Sequence, residues 1–150
     1  MQGPFAFRVV GLPGDSIAVE KEICIINGKK DMYRLVRKNV PDEDLDNDLR
    51  KFTVEYEEFL PNGKNIHIYR LEITGEDLKN IFPYNYSPIS GDNYELQYDD
   101  MDAIKIPENH YFLMGDFRSN ANDSRKIGAI PREQIIGKVV EIKPPKKKQK

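Results

Sequence analysis

Apolar residues in this chain come in short runs divided by turn signals, and several runs alternate apolar with polar side chains as half-buried strands do. Phe5 to Val10 is rich in aromatic and β-branched residues and reads as a strand. A Gly11-Leu12-Pro13-Gly14-Asp15 turn follows, with Pro presetting one backbone angle and Gly free to take the other. Ser16 to Glu20 alternates in part, as expected of a half-exposed strand. Ile23-Cys24-Ile25-Ile26 runs into Asn27-Gly28, the strongest short-range hairpin signal. Phe52 to Tyr56 alternates, Leu60 to Lys64 is a turn, and Ile66 to Ile73 alternates again, which predicts a second hairpin. Tyr111 to Met114 reads as a strand ending at a turn. Helix is expected only as single turns near Glu76 to Ile81 and near Arg132 to Ile136. The pattern is that of a mainly β protein.

Residues 31 to 102 differ from their flanks. Asp42 to Asp48 is an acidic run that reads as a solvated loop; it lacks the glycine and terminal glutamate of a calcium loop. His67 falls on the polar face of its strand and reads as an exposed strand residue, and His110 precedes a buried strand and needs no catalytic role. Tyr84 to Pro88 and Gly91 to Tyr94 are loop-like, their tyrosines as suited to closing a small core as to binding. Lys143 to Lys150 is basic, interrupted by Pro144 and Pro145, and is expected to be a disordered, solubilising tail.

Composition narrows the classes. The chain has 150 residues, enough for one domain with a sizeable excursion. Its 39% hydrophobic and 32% charged residues suit a polar globular piece, and a net charge of −2 gives no electrostatic case for nucleic acid. No run approaches the roughly 18–20 apolar residues of a membrane span. Cys24 is the single cysteine, which excludes an internal disulfide; inside an apolar run it reads as a small buried hydrophobe. There is no phosphate-cradling glycine loop and no Cys/His ligand spacing, so no cofactor and no metal is expected.

Candidate chemistry gathers in Gly115-Asp116-Phe117-Arg118-Ser119-Asn120-Ala121-Asn122-Asp123-Ser124-Arg125-Lys126-Ile127-Gly128. Small, hydrogen-bonding residues tolerate unusual backbone geometry, and two arginines with two aspartates can hold such a loop rigid through ion pairs. By composition alone it is a surface loop, and ion pairing is the expected role of Asp116 and Asp123. A second stretch, Arg8-Val9-Val10-Gly11-Leu12-Pro13-Gly14-Asp15, is by itself a strand and a turn.

Taken as an ordered pair, the two stretches resemble two sequence boxes of the bacterial type I signal peptidases (family S26), membrane-anchored serine endopeptidases that remove signal peptides. Ile25-Ile26-Asn27-Gly28-Lys29, Ile106 to Met114 and Ile130 to Lys138 follow the same pattern, and the Tyr56 to Tyr69 part resembles alphaproteobacterial members. The resemblance implies a β core from residues 5–30 and 103–142, interrupted by an inserted β-rich lobe over 31–102. It also implies signal peptides as partners, a membrane surface nearby, and a place on the outer face of the bacterial inner membrane or in the periplasm.

The resemblance further implies a Ser/Lys dyad, in which a desolvated lysine accepts the proton of a serine nucleophile. Here the chain departs from the family. The position before Arg8, where the lysine belongs, is Phe7, and residues 1–7 hold no Ser-Met-Xaa-Pro box and no anchor. Ala121 stands where the family places a serine that orients the lysine, and Phe117 where asparagine is usual. Arg8, Gly11, Asp15, Gly115, Asp116, Arg118, Asp123, Ser124 and Arg125 keep the family type. A catalytically incomplete framework is therefore expected. What remains to such a chain is peptide binding by strand addition along Phe5, Ala6 and Phe7, as in a chaperone or assembly module, or self-association through exposed apolar surface.

Overall fold

The computed structural model describes residues 3–40, 51–73, 76–77 and 100–143. The acidic run, the tyrosine loops of 84–94, the helical turn beyond Asp77 and the tail beyond Lys143 lie outside them.

The molecule is mainly β, with ten strands among the described residues: β1 Arg8–Gly11, β2 Ser16–Glu20, β3 Ile23–Ile26, β4 Lys29–Lys30, β5 Met32–Lys38, β6 Thr53–Phe59, β7 Asn65–Leu71, β8 Met101–Lys105, β9 His110–Met114 and β10 Ile130–Pro131. They form three sheets, ordered β1-β9-β10, β4-β3-β2-β8 and β5-β6-β7. The second hairpin forms as expected: β6 and β7 are antiparallel in an unbroken register from Thr53 opposite Leu71 to Phe59 opposite Asn65. Among the described residues helix is short: residues 76–77, one α-helical turn at Ser124–Ile127, and 3-10 turns at Arg118–Asn120 and Arg132–Gln134.

Two tight turns fix the register of β2, β3 and β4. Asn27 and Gly28 both take positive φ, 51° and 78°, which matches the type I′ geometry that joins twisted strands. Lys21 and Glu22 do the same between β2 and β3 with φ of 49° and 66°, although neither is a residue that favours that region. Tertiary partners hold them there. The Lys21 amide donates to Asp100 at 2.6 Å, and the buried Glu22 carboxylate accepts from Arg70 at 2.8 Å.

Val10, Ile17, Cys24, Ile26, Ile106, Phe112 and Met114 form the buried core, so Cys24 is the small interior residue the sequence implied. The strand read at Phe5 to Val10 begins only at Arg8; Phe5 to Phe7 precede it unpaired, and Phe5 is exposed. β8 starts at Met101, inside the stretch assigned from sequence to the inserted lobe 31–102, because Met101 pairs with Val19 of β2. β5 is exposed along its whole length, where charge suits its outer side: Arg34 pairs with Glu57 and Arg37 with Glu55 on β6. His67 is an exposed residue of β7, as its strand pattern implied. Its Nδ1 lies 2.6 Å from Glu55, a carboxylate too distant in sequence for local reading to connect.

Candidate functional site

The two glycine-containing stretches lie side by side. β1 and β9 are antiparallel with Arg8 opposite Met114, and Arg8 reaches past that pairing to the Asp116 carboxylate with two parallel hydrogen bonds of 2.7 and 2.8 Å. A fork of this kind fixes orientation as well as distance. At the other end of β1, Asp15 shapes the turn. Its carboxylate accepts from the Leu12 amide and from Asn27 Nδ2, both at 2.9 Å. The Gly14 amide donates to the Ile106 carbonyl at 2.9 Å and Ile106 returns a bond to Asp15 at 2.8 Å. Gly11, beside this turn, has Ile106 and Phe112 directly above its Cα.

Residues 115–128 are rigid because every charged side chain the sequence singled out there is paired. Asp123 is fully buried and caps the helical turn Ser124–Ile127 by accepting from the Arg125 amide at 3.2 Å. It also accepts from Arg125 Nε and Nη2, both at 2.8 Å, and from the Gly115 amide at 2.9 Å. Burial alone would raise the Asp123 carboxyl, but the Arg125 and Gly115 donors outweigh it and hold the group below its ordinary value. Ser124 is buried and its hydroxyl accepts from the Leu113 amide at 2.9 Å, a tie between loop and strand.

The expectation that neighbouring arginines and aspartates pair within the loop holds for Arg125 with Asp123 and fails for the other two. Asp116 pairs with Arg8 instead, and Arg118 pairs with Glu58 of β6. Arg118 has no exposed surface. It donates to Glu58 through both terminal nitrogens, one bond being 3.1 Å, and through Nε to the Gly115 carbonyl at 3.1 Å. Next to it, the Ser119 hydroxyl donates to Glu22 at 3.2 Å and accepts from the Leu71 amide at 2.9 Å. The Tyr69 amide donates to the Asp116 carbonyl at 2.8 Å, and Tyr69 forms a parallel bridge with Phe117. The loop is thus wedged between β1 on one side and β6 and β7 on the other. Sequence reading missed Glu22, Glu58 and Arg70, because their partners lie 48 to 97 positions away.

Phe7 is half-buried beside the exposed Phe5, their rings stacked with centroids 6.2 Å apart, and Ala6 between them is exposed. The β1–β9 register, continued by one residue, sets position 7 opposite Gly115. Ala121 packs over that same Gly115, so closely that a Cβ on the glycine would meet the Ala121 Cβ at 2.6 Å. Beyond the loop, burial pushes the Asp31 carboxyl up to about 7, nearby Glu58 adding to the shift, and pushes the Cys24 thiol up to about 12.

A sequence model of the family described as "Signal peptidase, peptidase S26" matches residues 2–143. Signal peptidase I of Rickettsia conorii (strain ATCC VR-613 / Malish 7) is 33% identical over 132 residues, 87% of this chain and 42% of that protein. Signal peptidase I of Rickettsia bellii (strain OSU 85-389) is 31% identical over 132 residues, 87% of this chain and 38% of that protein. The chain therefore spans less than half the length of these curated relatives. Among solved structures, a signal peptidase I from Enterococcus faecalis V583 is similar at a TM-score of 0.39 and 18% identity, covering 90% of this chain and 81% of that one.

Proposed function

This chain belongs to the signal peptidase, peptidase S26, family, and from that premise we propose that it holds an extended peptide of the signal-peptide kind along the free edge of β1, without a Ser/Lys dyad of its own to cut it. Phe7 carries the reading. The residue that precedes Arg8 is where the family resemblance puts the proton-accepting lysine, and a phenyl ring has no basic atom. Ala121 supports it from the other side of Gly115: with no amine to orient, the orienting hydroxyl is gone as well. Of the serines in residues 115–128, Ser119 and Ser124 both use their hydroxyls to hold the loop. The framework pairs Arg8–Asp116, Arg118–Glu58 and Arg125–Asp123 are intact.

Binding needs an edge, and β1 is the outer strand of its sheet, with β9 on one side and no further strand on the other among the described residues. A peptide added there gains main-chain hydrogen bonds for affinity, while alternate side chains meet the protein for selectivity. Phe5, Ala6 and Phe7 extend that edge and supply apolar contact. The family's place at the outer face of the bacterial inner membrane follows from the same reading. Among the described residues no helix is long and apolar enough to cross a membrane. Ile136, Val139, Val140 and Ile142 are exposed and make an apolar stretch that favours self-association as a second reading.

Titration of the purified chain with an Ala-Xaa-Ala peptide tests the first reading. Saturable binding is expected, abolished by a proline in the peptide, and no saturation would overturn the binding half. A signal-peptide cleavage assay is expected to give background rates for the chain and for Phe7→Lys alike; turnover by the unaltered chain would overturn the other half. Concentration-dependent oligomers without peptide binding would establish the second reading in its place.

A further inference from the structure

Cys24 of β3, Asp31 just beyond β4 and Glu58 of β6 each bring one donor atom to within 4.8 Å of the others, and all three are buried. Asp31 is 5% exposed, yet neither of its carboxylate oxygens has a hydrogen-bond partner. An unpaired carboxylate inside a protein is costly and calls for a counter-charge or a proton. The backbone holds it in place: the Asp31 amide donates to the Cys24 carbonyl at 2.9 Å. Glu58 is steadied by Arg118, which takes one lone pair from each of its oxygens and leaves the others. Met114 Sδ lies 3.3 Å from Cys24 Sγ and adds a second soft atom.

We propose that Cys24, Asp31 and Glu58 form a binding site for one divalent cation of zinc-like, borderline-soft character. Thiolate and carboxylate are both zinc ligands, and one sulfur with two oxygens is a mixed set that calcium and magnesium do not use. Charge balances. Two carboxylates and a thiolate oppose the single Arg118 guanidinium, leaving two negative charges for a divalent ion to neutralise. Zinc bonds of about 2.0–2.3 Å put tetrahedral donors about 3.5 Å apart, so the cluster closes by roughly an ångström on loading. Binding forms a metal–sulfur bond and releases the thiol proton to solvent. The fourth position falls to Met114 or to water. Because the ligands come from β3, from the link between β4 and β5, and from β6 of a second sheet, the ion would tie β3 and β4 to β6.

The test uses Zn2+ and Co2+ added to the chelator-treated chain. One equivalent of Co2+ is expected to give a near-ultraviolet thiolate-to-cobalt absorption, and Zn2+ in excess is expected to raise the melting temperature. Asp31→Asn removes the unpaired charge without changing shape, so it folds; it is expected to weaken Co2+ binding at least tenfold. Cys24→Ser is expected to abolish the absorption. No absorption and no thermal shift in the unaltered chain would overturn the site, and so would Co2+ binding that Asp31→Asn leaves unchanged. A chain that ignores both metals but gains stability from Asp31→Asn would hold a protonated carboxyl there, which also overturns it.

Discussion

A Cβ added to Gly11 would stand 2.4 Å from Ile106 Cδ1 and 3.1 Å from Phe112 Cβ, so these two buried side chains would have to shift within a close-packed core. Gly11→Ala is therefore expected to destabilise the fold by about 1–3 kcal/mol, measured by urea unfolding; an unchanged midpoint would contradict this packing. Asp123 makes a pH prediction. Its carboxyl lies below its ordinary value in the folded chain, so its contribution is complete above the unfolded pKa of about 3.9 and disappears as pH falls through the folded one. Urea midpoints between about pH 6 and pH 2 should show this acid limb, and Asp123→Asn should flatten it. Equal limbs in both proteins would refute the assignment. His67 teaches the same lesson in small: its carboxylate neighbour, Glu55, became visible only once β6 and β7 were laid side by side.

Between elements, the decisive contact is that of the 3-10 turn at Arg118–Asn120 with β6, through Arg118 and Glu58. Burial would lower the Arg118 pKa, but Glu58 more than offsets it and the net shift is upward. Arg118→Met leaves Glu58 buried without its partner and is expected to cost about 3–5 kcal/mol. The double variant Arg118→Met/Glu58→Met should recover much of that, because two apolar side chains leave no stranded charge. Additive losses in the double-mutant cycle would show that the two residues do not act as a pair. The turns at Asn27-Gly28 and Lys21-Glu22 contrast instructively. The first is legible from its residues, whereas the second is a positive-φ turn held by tertiary contacts from Arg70, Asp100 and Ser119.

Across the molecule, the loop at 115–128 joins strands of two sheets into one hydrogen-bonded unit: Arg8 of β1, Leu113 of β9, Leu71 of β7 and Glu58 of β6 all bond to it. Unfolding should therefore be a single event. Tyrosine fluorescence, with Tyr33, Tyr56 and Tyr69 on the β5-β6-β7 sheet, and far-ultraviolet circular dichroism should give coincident urea transitions. Glu58→Gln, which loosens the wedge, should separate the two curves; coincident curves in that variant would mean the sheets are coupled elsewhere. The mainly β character, both hairpins, the Asn-Gly turn, the buried Cys24 and the kinship of the two glycine stretches were all readable in the chain, because strand period and turn chemistry are local properties. Folding in three dimensions alone chose the partners of Asp116 and Arg118, enforced the Lys21-Glu22 turn, and gathered Cys24, Asp31 and Glu58. Those depend on charges desolvated against groups from distant strands, and neither periodicity nor spacing along a chain carries that information.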